Sequence, residues 1–221
     1  TDPRMLDELM SRRMSCRGFR ATPVPRETIE GIVATAQKVP SWCNSQPWQL
    51  IITTPPETDR LRDALFALSE NPVSEPDIAF PERYENVYAD RRRACGWALY
   101  EAVGVPRGDR AASAKQMREN FRFFGAPHVA LVTTPKALGA YGVLDCGAFV
   151  TAFMLAAEAQ GVASIAQAAL AMMAPHLRDH FQIAGDRDLL CAISFGYKDP
   201  DHPANAFRTT RAAPEQVIAW R

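Results

Sequence analysis

The sequence has no excess charge of either sign, because 25 arginine and lysine residues balance 25 aspartate and glutamate residues. A domain without net positive charge has no general electrostatic attraction to nucleic acid or to an anionic membrane surface. We therefore expect no nucleic-acid partner and no membrane partner. A site that binds an anion must depend on a local group of basic residues.

Long apolar runs are absent as well. The longest strongly apolar segment, residues 148–157, is too short to cross a bilayer and predicts a buried helix instead. The N-terminal residues contain neither an apolar core segment nor a small-residue cleavage site, so they do not predict a signal peptide. We expect a cytoplasmic protein with a single domain over residues 1–221, since 47% hydrophobic residues can form one sizeable core.

Closely spaced cysteine pairs are missing. The five cysteines are odd in number and no two form a CxxC pattern, which argues against zinc knuckles and redox dithiols. We expect reduced and mostly buried thiols. Cys43 has no histidine near it in sequence that would activate it, so it is a poor candidate for a catalytic nucleophile.

Common nucleotide-binding and catalytic motifs are also absent. The sequence contains no GxGxxG, GxxxxGK, GxSxG or HExxH pattern, which removes the usual support for dinucleotide-binding, nucleoside triphosphate and α/β-hydrolase folds. His176 and His180 lie four residues apart and could share a helix face. Without a third ligand nearby they are more typical of a solvated face, so we expect no metal site.

The apolar pattern predicts helices and strands. Short β-branched runs predict strands at 48–54, 128–134 and 189–197. Apolar residues at helical spacing predict a first helix that begins at Asp2 and Pro3, and a second that begins at Pro25. Further helical stretches are predicted at 57–69, 91–102, 111–124 and 144–160. Such a set indicates an α/β or α+β sandwich.

Residues 70–110 differ in composition from the rest of the chain. The segment is rich in proline, charge and tyrosine, and only its second half becomes amphipathic. It could be an insertion that forms a lid over a site, or a surface excursion. Both interpretations stay open from the sequence.

Two clusters of basic and hydroxyl residues lie near opposite ends of the chain. SRRMSCRGFR contains Arg12, Arg13, Ser15 and Arg17, and NAFRTTRAAP contains a second group around Arg208 and Arg211. Arginine forks and hydroxyl groups bind phosphate through charge-assisted hydrogen bonds. The two clusters could converge on one phosphate, and we predict that Arg13, Arg208 and Arg211 hold it.

A third unusual stretch is PSWCNSQPWQL, residues 40–50. It combines two prolines, two tryptophans, one cysteine and three carboxamides immediately before an apolar run. RRMSCRGF with the PVP after it, PSWCNSQPWQL, the closing GY and NAFRTTRAAP occur in this order over nearly the whole chain. Together they resemble the FMN-dependent nitroreductase family. The segments ACGWALYEAVGVPRGDR and NFRFFGAP are similar to its nitroaromatic and nitrobenzoate reductase branch.

The resemblance implies a fold, an assembly and a cofactor. The expected fold is α+β, with a central, mostly antiparallel sheet flanked by helices. The expected assembly is an intertwined homodimer with two FMN sites at the subunit interface. Residues 40–44 of one subunit would lie against the flavin ring bound by the other.

The resemblance also implies the cofactor-binding residues. Arg13 and Ser15 would lie toward the phosphate and ribityl end, and Arg17 near the pyrimidine edge, where a fixed cation stabilises the charge of a reduced flavin. The amide of Ala168 would donate to flavin N5; many relatives have an acidic residue there, so only this main-chain role carries over. Gln167 could add a side-chain contact. The full set is Arg12, Arg13, Ser15, Arg17, Pro40, Ser41, Trp42, Asn44, Asn120, Arg122, Ser164, Ile165, Gln167, Ala168, Arg208 and Arg211.

The expected activity follows from the same resemblance. NADH or NADPH would give a hydride to FMN, and a nitroarene or quinone would then accept electrons in the same place, so no protein nucleophile or general base is needed. The predicted substrate pocket comprises Trp42, Tyr84, Tyr88, Phe123 and Phe124. Three alternatives remain: a reductive dehalogenase, a flavin-fragmenting enzyme, and a non-catalytic flavin-binding protein.

Overall fold

A computed structural model describes residue 2 and residues 4–221 of the chain. The first helix, α1, spans Arg4–Arg12. The Asp2 carboxylate accepts a hydrogen bond from the Arg4 backbone amide at 2.9 Å, as a helix-starting residue does. Pro3, the other residue predicted to begin this helix, lies outside the described residues.

The centre of the fold is a four-stranded sheet. Its strands are β1 (Gln49–Ile52), β2 (His128–Pro135), β3 (Ala163–Gln167) and β4 (Arg187–Gly196). They lie in the order β1-β2-β4-β3, and every neighbouring pair is antiparallel. The prediction of an α+β fold with a mostly antiparallel sheet is confirmed.

Helices cover both faces of this sheet. Besides α1 they are α2 (Arg26–Ala36), α3 (Glu57–Leu68), α4 (Asn86–Ala102), α5 (Arg110–Arg118), α6 (Gly139–Ala159) and α7 (Ala174–Phe181). The strand β2 is buried along nearly its whole length, because alternate side chains enter two separate cores. Ala130 and Val132 pack with α2 and α6, whereas Val129 and Leu131 pack with α3 and α7.

The structure differs from the sequence predictions in one helix end and in two elements that the sequence did not predict. The helix predicted over 111–124 ends at Arg118 and continues as a 3₁₀ turn, Glu119–Gly125. Phe123 and Phe124 have φ angles of 57° and 54°, which no α-helix tolerates. The strand β3 was not predicted, because its alanine-rich sequence has weak β propensity. Helix α7 was not assigned either.

Helix α6 is apolar on more than one side. With the turn before it, Lys136–Ala159 is long and apolar enough to cross a membrane by length and composition, a test that the core helix of a soluble protein also passes. Phe149 and Phe153 pack in the core. Tyr141 and Leu144, on another side of the helix, are 58% and 67% exposed.

A buried histidine connects three separate segments. The His128 ring accepts a hydrogen bond from the Val24 amide at 2.9 Å through Nε2, and its Nδ1 lies 3.0 Å from the Thr53 carbonyl oxygen. Both contacts are satisfied by the neutral tautomer that carries its proton on Nδ1. Burial lowers the pKa of His128 from its usual value of 6.5, although the bond to Thr53 acts in the opposite direction.

We predict that His128 makes the stability of the fold sensitive to mild acid. Protonation would place a charge in the core and remove the acceptor for the Val24 amide. Because the folded pKa is depressed, the stabilisation is complete above the unfolded pKa, about 6.5, and is lost as the pH falls below it. In urea unfolding between pH 7 and 5, stability should fall more steeply for the wild type than for His128→Gln. The variant itself should be less stable at pH 7 by about 1–3 kcal/mol. Parallel pH profiles would contradict this role.

Candidate functional site

The segment that follows α1 runs along the free edge of β3. Ser15 forms a parallel bridge with Ser164, and the Cys16 amide donates to the Ser164 carbonyl oxygen at 3.1 Å. The chain then passes the end of β4, where the Arg20 amide donates to the Tyr197 carbonyl oxygen at 2.8 Å. The first basic cluster is therefore attached to the sheet through backbone hydrogen bonds.

The buried side chain of Asn205 brings the second basic cluster to the first. Its Oδ1 accepts from the Arg17 amide at 2.8 Å, and its Nδ2 donates to the carbonyl oxygens of Gly18 and Asp199 at 2.9 and 2.8 Å. Two of these hydrogen bonds join residues 188 and 187 positions apart in sequence, and the third lies within the segment after β4. Arg208 and Arg211 follow directly along the chain.

Both clusters border one cavity of about 670 Å³. This volume is within the range of small-molecule and cofactor sites. The lining residues are Met10, Ser11, Arg13, Met14, Ser15, Arg17, Cys95, Thr151, Met154, Phe207, Arg208, Thr209 and Arg211. Arginines from both ends of the chain therefore line the same cavity.

The charges in this cavity suit an anionic ligand. Within the part of the chain that the structure describes, no carboxylate lies within 4 Å of the guanidinium groups of Arg13, Arg208 and Arg211. Arg208 and Arg211 donate only to neighbouring main-chain oxygens and to the Thr209 hydroxyl. Their remaining donors, together with the hydroxyls of Ser11 and Ser15, match what a phosphate monoester accepts. The residues present therefore fit the phosphate end of FMN.

Arg17 lies between this cavity and a second one of about 390 Å³. Its guanidinium carbon is 6.0 Å from the Phe124 ring centroid and 5.8 Å from that of Phe207, so the cation is held between two aromatic faces. Burial lowers the pKa of Arg17 from its ordinary value. Arginine stays protonated nonetheless, and a partly desolvated cation interacts more strongly with a nearby negative charge than a solvated one does.

The end of β3 leads into a 3₁₀ turn, Ala168–Met173. Ala168 is exposed at the first position of this turn, where amide groups lack partners within the turn. Ser164 and Ile165 are buried in the strand, so only their backbone can face a ligand. The Gln167 side chain is also buried: its Nε2 donates to the Asn120 carbonyl oxygen at 3.0 Å, and its Oε1 accepts from the Ser194 hydroxyl. The predicted side-chain contact of Gln167 with a ring is therefore not available in this conformation.

Residues 40–44 are placed away from the cavity of their own chain. Trp42 is 64% exposed, and its ring packs at a tilt of 41° against Tyr141 with 5.1 Å between centroids. Its amide donates to the buried Asp145 carboxylate at 3.0 Å. Pro40, Ser41 and Asn44 are likewise exposed or partly exposed, and none of the four lines the cavity. The segment is thus fixed to the N-terminal half of α6 with its outer surface uncovered.

Several predicted site residues are not brought to either cavity. Arg12 pairs with Glu158 at 3.3 Å, and the exposed Arg122 lies over the Phe66 ring at 5.1 Å. Tyr84 and Tyr88 are 49% and 65% exposed and border neither space. Phe123, predicted to line a substrate pocket, is fully buried in the core beside α3 and borders neither cavity. Its left-handed backbone turns the ring inward.

The cysteine and histidine side chains differ in burial and in pKa. Burial raises the pKa of Cys16 and Cys146 to about 11 and that of Cys191 to about 12, so these thiols are protonated at neutral pH. Cys43 is exposed and Cys95 partly so, which makes only part of the buried-thiol prediction correct. His180 contacts Glu57 at 2.5 Å, and no group of three potential metal ligands occurs among the described residues.

The residues that border or organise the site and that sequence reasoning missed include Asn205, Phe207, Cys95 and Lys115. Asn205 and Phe207 lie inside the NAFRTTRAAP segment, but neither side chain has the charge that marks the arginines as phosphate ligands. Cys95 and Lys115 carry no local signal, because only the packing of α4 and α5 brings them there.

Comparison with known proteins agrees with this geometry. The chain is 35% identical over 218 residues to the nitroreductase NfnB of Mycolicibacterium smegmatis, covering 97% of this chain and 92% of the relative. It is 29% identical to a 4-nitrobenzoate reductase of Pseudomonas putida, covering 93% and 90% of the two chains. The crystal structure of FMN-dependent NfnB from Mycobacterium smegmatis in complex with NADPH matches with a TM-score of 0.93 and 32% identity, covering 99% of this chain and 98% of that one.

The model of the nitroreductase family matches residues 10–197, from the C-terminal end of α1 to the residue after β4, and so includes the whole sheet. With a match over most of its length and relatives above 30% identity, this chain belongs to the nitroreductase family.

Proposed function

We propose that this protein is an FMN-dependent oxidoreductase that uses NADPH or NADH to reduce small electron-poor aromatics, above all nitroarenes. The observation that carries the proposal is the 670 Å³ cavity in which unpaired arginines from both ends of the chain meet. Relatives that match nearly the whole chain are named as nitroreductases and nitrobenzoate reductases. Iodotyrosine deiodinase 1 of Rattus norvegicus matches over only 23% of the chain, so dehalogenation is not favoured.

In this proposal each part of the cavity has a separate task. Arg13, Arg208 and Arg211 would bind the phosphate, and the Ser15 hydroxyl would contact the ribityl chain. Bound FMN supplies the chemistry of accepting a hydride and passing electrons to the acceptor. Arg17 would provide a preorganised positive charge for the reduced ring, and the Ala168 amide would provide a hydrogen-bond donor to it.

The assembly we propose is a homodimer built on the outer face of α6. Tyr141, Leu144, Ala148, Thr151 and Leu155 follow one another at spacings of three and four residues, and all are exposed or half-buried. Met5, Leu6 and Met10 of α1 extend this apolar surface. Thr151 and Met10 also line the cavity, so the cavity opens onto the same face. Large exposed apolar patches of this kind mark interaction surfaces.

Two-fold symmetry explains why residues 40–44 lie away from their own cavity. Trp42 packs beside Tyr141, whereas the cavity begins at Thr151, about 15 Å farther along the helix. A two-fold axis near Ala148, with two α6 helices antiparallel, would bring the 40–44 segment of one protomer to the cavity of the other. Each site would then be incomplete in the monomer.

We further propose that α4 and the loop after it cover the mouth of the site. Cys95 lines the larger cavity, and Val103 and Val105 line the smaller one. Helix α4 has no buried residue, as expected for an element that can adjust. The beginning of segment 70–110 is anchored, because the Asp77 carboxylate pairs with Arg178 and accepts from the Leu189 amide. The cover would therefore be α4, and not the whole segment.

The cellular compartment proposed is the cytoplasm. The five cysteines are unpaired in the structure, which is typical of a reducing compartment.

The direct test of the activity is anaerobic spectroscopy of the purified protein. We expect a yellow protein whose flavin absorbance is bleached by NADPH or NADH and returns on addition of nitrobenzene. If NADPH or NADH bleaches the flavin and no nitroarene or quinone restores its absorbance, the protein is a flavoprotein that reduces another acceptor. Protein that neither contains nor takes up FMN would overturn the proposal.

The phosphate assignment predicts that Arg211→Ala weakens FMN binding by roughly tenfold or more, because one charge-assisted hydrogen bond contributes about 1.5–3 kcal/mol. Flavin titration of the apoprotein measures this. The matched control is Arg26→Ala, whose side chain pairs with Glu30 on α2 and lies outside the cavity. Equal affinities for the two variants would remove Arg211 from the site.

The dimer proposal predicts that Leu144→Asp produces a monomer that has lost most of its FMN and activity, since a charge replaces the centre of an apolar contact. Light scattering at assay concentration measures the oligomeric state. Leu68→Asp, which adds the same charge at an exposed position at the end of α3, should remain dimeric and active. A fully active Leu144→Asp monomer would show that each chain completes its own site.

A further inference from the structure

The 390 Å³ cavity shares Arg17 with the larger cavity but contains none of the arginines proposed to bind the phosphate. One wall is apolar and consists of Val103, Val105 and the Phe124 ring. Another part of the lining is the face of α5 that carries Lys115 and Gln116. Phe124 is thus the one residue of the predicted aromatic pair that reaches a cavity, although it is only 7% exposed.

The charge of this lining is positive. Arg17 and Lys115 contribute two cations and Glu119 contributes one carboxylate. Glu119 has a cationic neighbour outside the cavity, since its Oε2 lies 3.9 Å from Nε of Arg122. Among the described residues, no carboxylate lies within 4 Å of the Lys115 ammonium group. The ammonium group also makes no hydrogen bond to another described residue. The uncharged polar side chains of the lining are Gln116 and His202, and the Nδ1 atom of His202 accepts from the Ala204 amide at 3.2 Å.

A cavity with an apolar wall and an unpaired cation is suited to a flat molecule that bears an anionic substituent. The Phe124 ring and the valines can contact an aromatic face, and the ammonium group of Lys115 can pair with a carboxylate. Because Arg17 separates this space from the larger cavity, a ligand held here lies next to the proposed flavin ring position.

We propose that Lys115 is a specificity-determining residue that binds the carboxylate of an aromatic acceptor, so that the enzyme prefers nitroaryl carboxylates to neutral nitroarenes. This inference rests on the proposed function, because it names the substrate class of the same site. Lys115 contributes to binding and orientation and takes no part in electron transfer. A phosphate of the nicotinamide cofactor could also be attracted to this cation, and the test separates the two.

The experiment compares 4-nitrobenzoate with 4-nitrobenzamide, which has a similar shape and no charge. Their kcat/KM values are measured anaerobically at saturating NADPH for the wild type, Lys115→Met and Lys115→Arg. We expect the ratio of nitrobenzoate to nitrobenzamide to fall about tenfold in Lys115→Met, mainly through the KM of the acid, and to return in Lys115→Arg. Arg110→Met removes one positive charge from the same helix outside the cavity and should leave the ratio near that of the wild type.

A ratio that is unchanged in Lys115→Met, or an equal loss for both acceptors, overturns the assignment. So does an increase in the KM for NADPH with no change in the acceptor ratio, since that outcome assigns Lys115 to the nicotinamide cofactor. Benzoate and benzamide, titrated against the FMN-loaded protein by flavin absorbance, give a binding readout that needs no turnover. If nitroarenes are not reduced at all, the proposed function fails while benzoate binding that depends on Lys115 still supports this site.

Discussion

The pairing of β4 with strands on both sides is the constraint on which the site depends. On one side β4 pairs with β2, and on the other with β3, whose free edge receives Ser15 and Cys16. The chain beyond β4 then continues past Gly18 and supplies the C-terminal arginines. A Cβ atom on Gly196 would lie 2.5 Å from the Pro127 ring, so this end of β4 tolerates no side chain. The end of β4 therefore fixes the positions of both basic clusters that line the cavity.

The electrostatics of the molecule are local. A chain with no net charge nevertheless places several guanidinium groups without carboxylate partners around one cavity. Unpaired cations that are held close together repel one another, and the scaffold must hold them in place. Arg17 is held by two aromatic rings and Asn205 by three hydrogen bonds, so the binding groups are preorganised before a ligand arrives. The same shortage of carboxylates around Lys115 extends this positive region to the second cavity.

Much of the fold could be predicted from the sequence, because its elements are locally consistent. Helices α2 and α3 and the strands β1, β2 and β4 have clear apolar periodicity and end within a few residues of their predicted bounds. The strand β3 is an exception. Its residues ASIAQ have no strong preference, and the segment becomes a strand only because β4 offers a hydrogen-bonding edge. The turn at Phe123 is another exception, since burial of the ring outweighs helix propensity.

The sequence by itself determined the family, three of the four strands and the composition of the two arginine clusters, because these follow from motifs and from periodicity within short windows. Tertiary structure decided which of those residues meet. Arg13 and Arg211 line one cavity while Arg12 and Arg122 turn to Glu158 and Phe66, and Lys115 enters the site without any motif. The physical reason is that these contacts join positions far apart in the chain. They depend on how whole elements pack, and local sequence patterns carry little information about such packing.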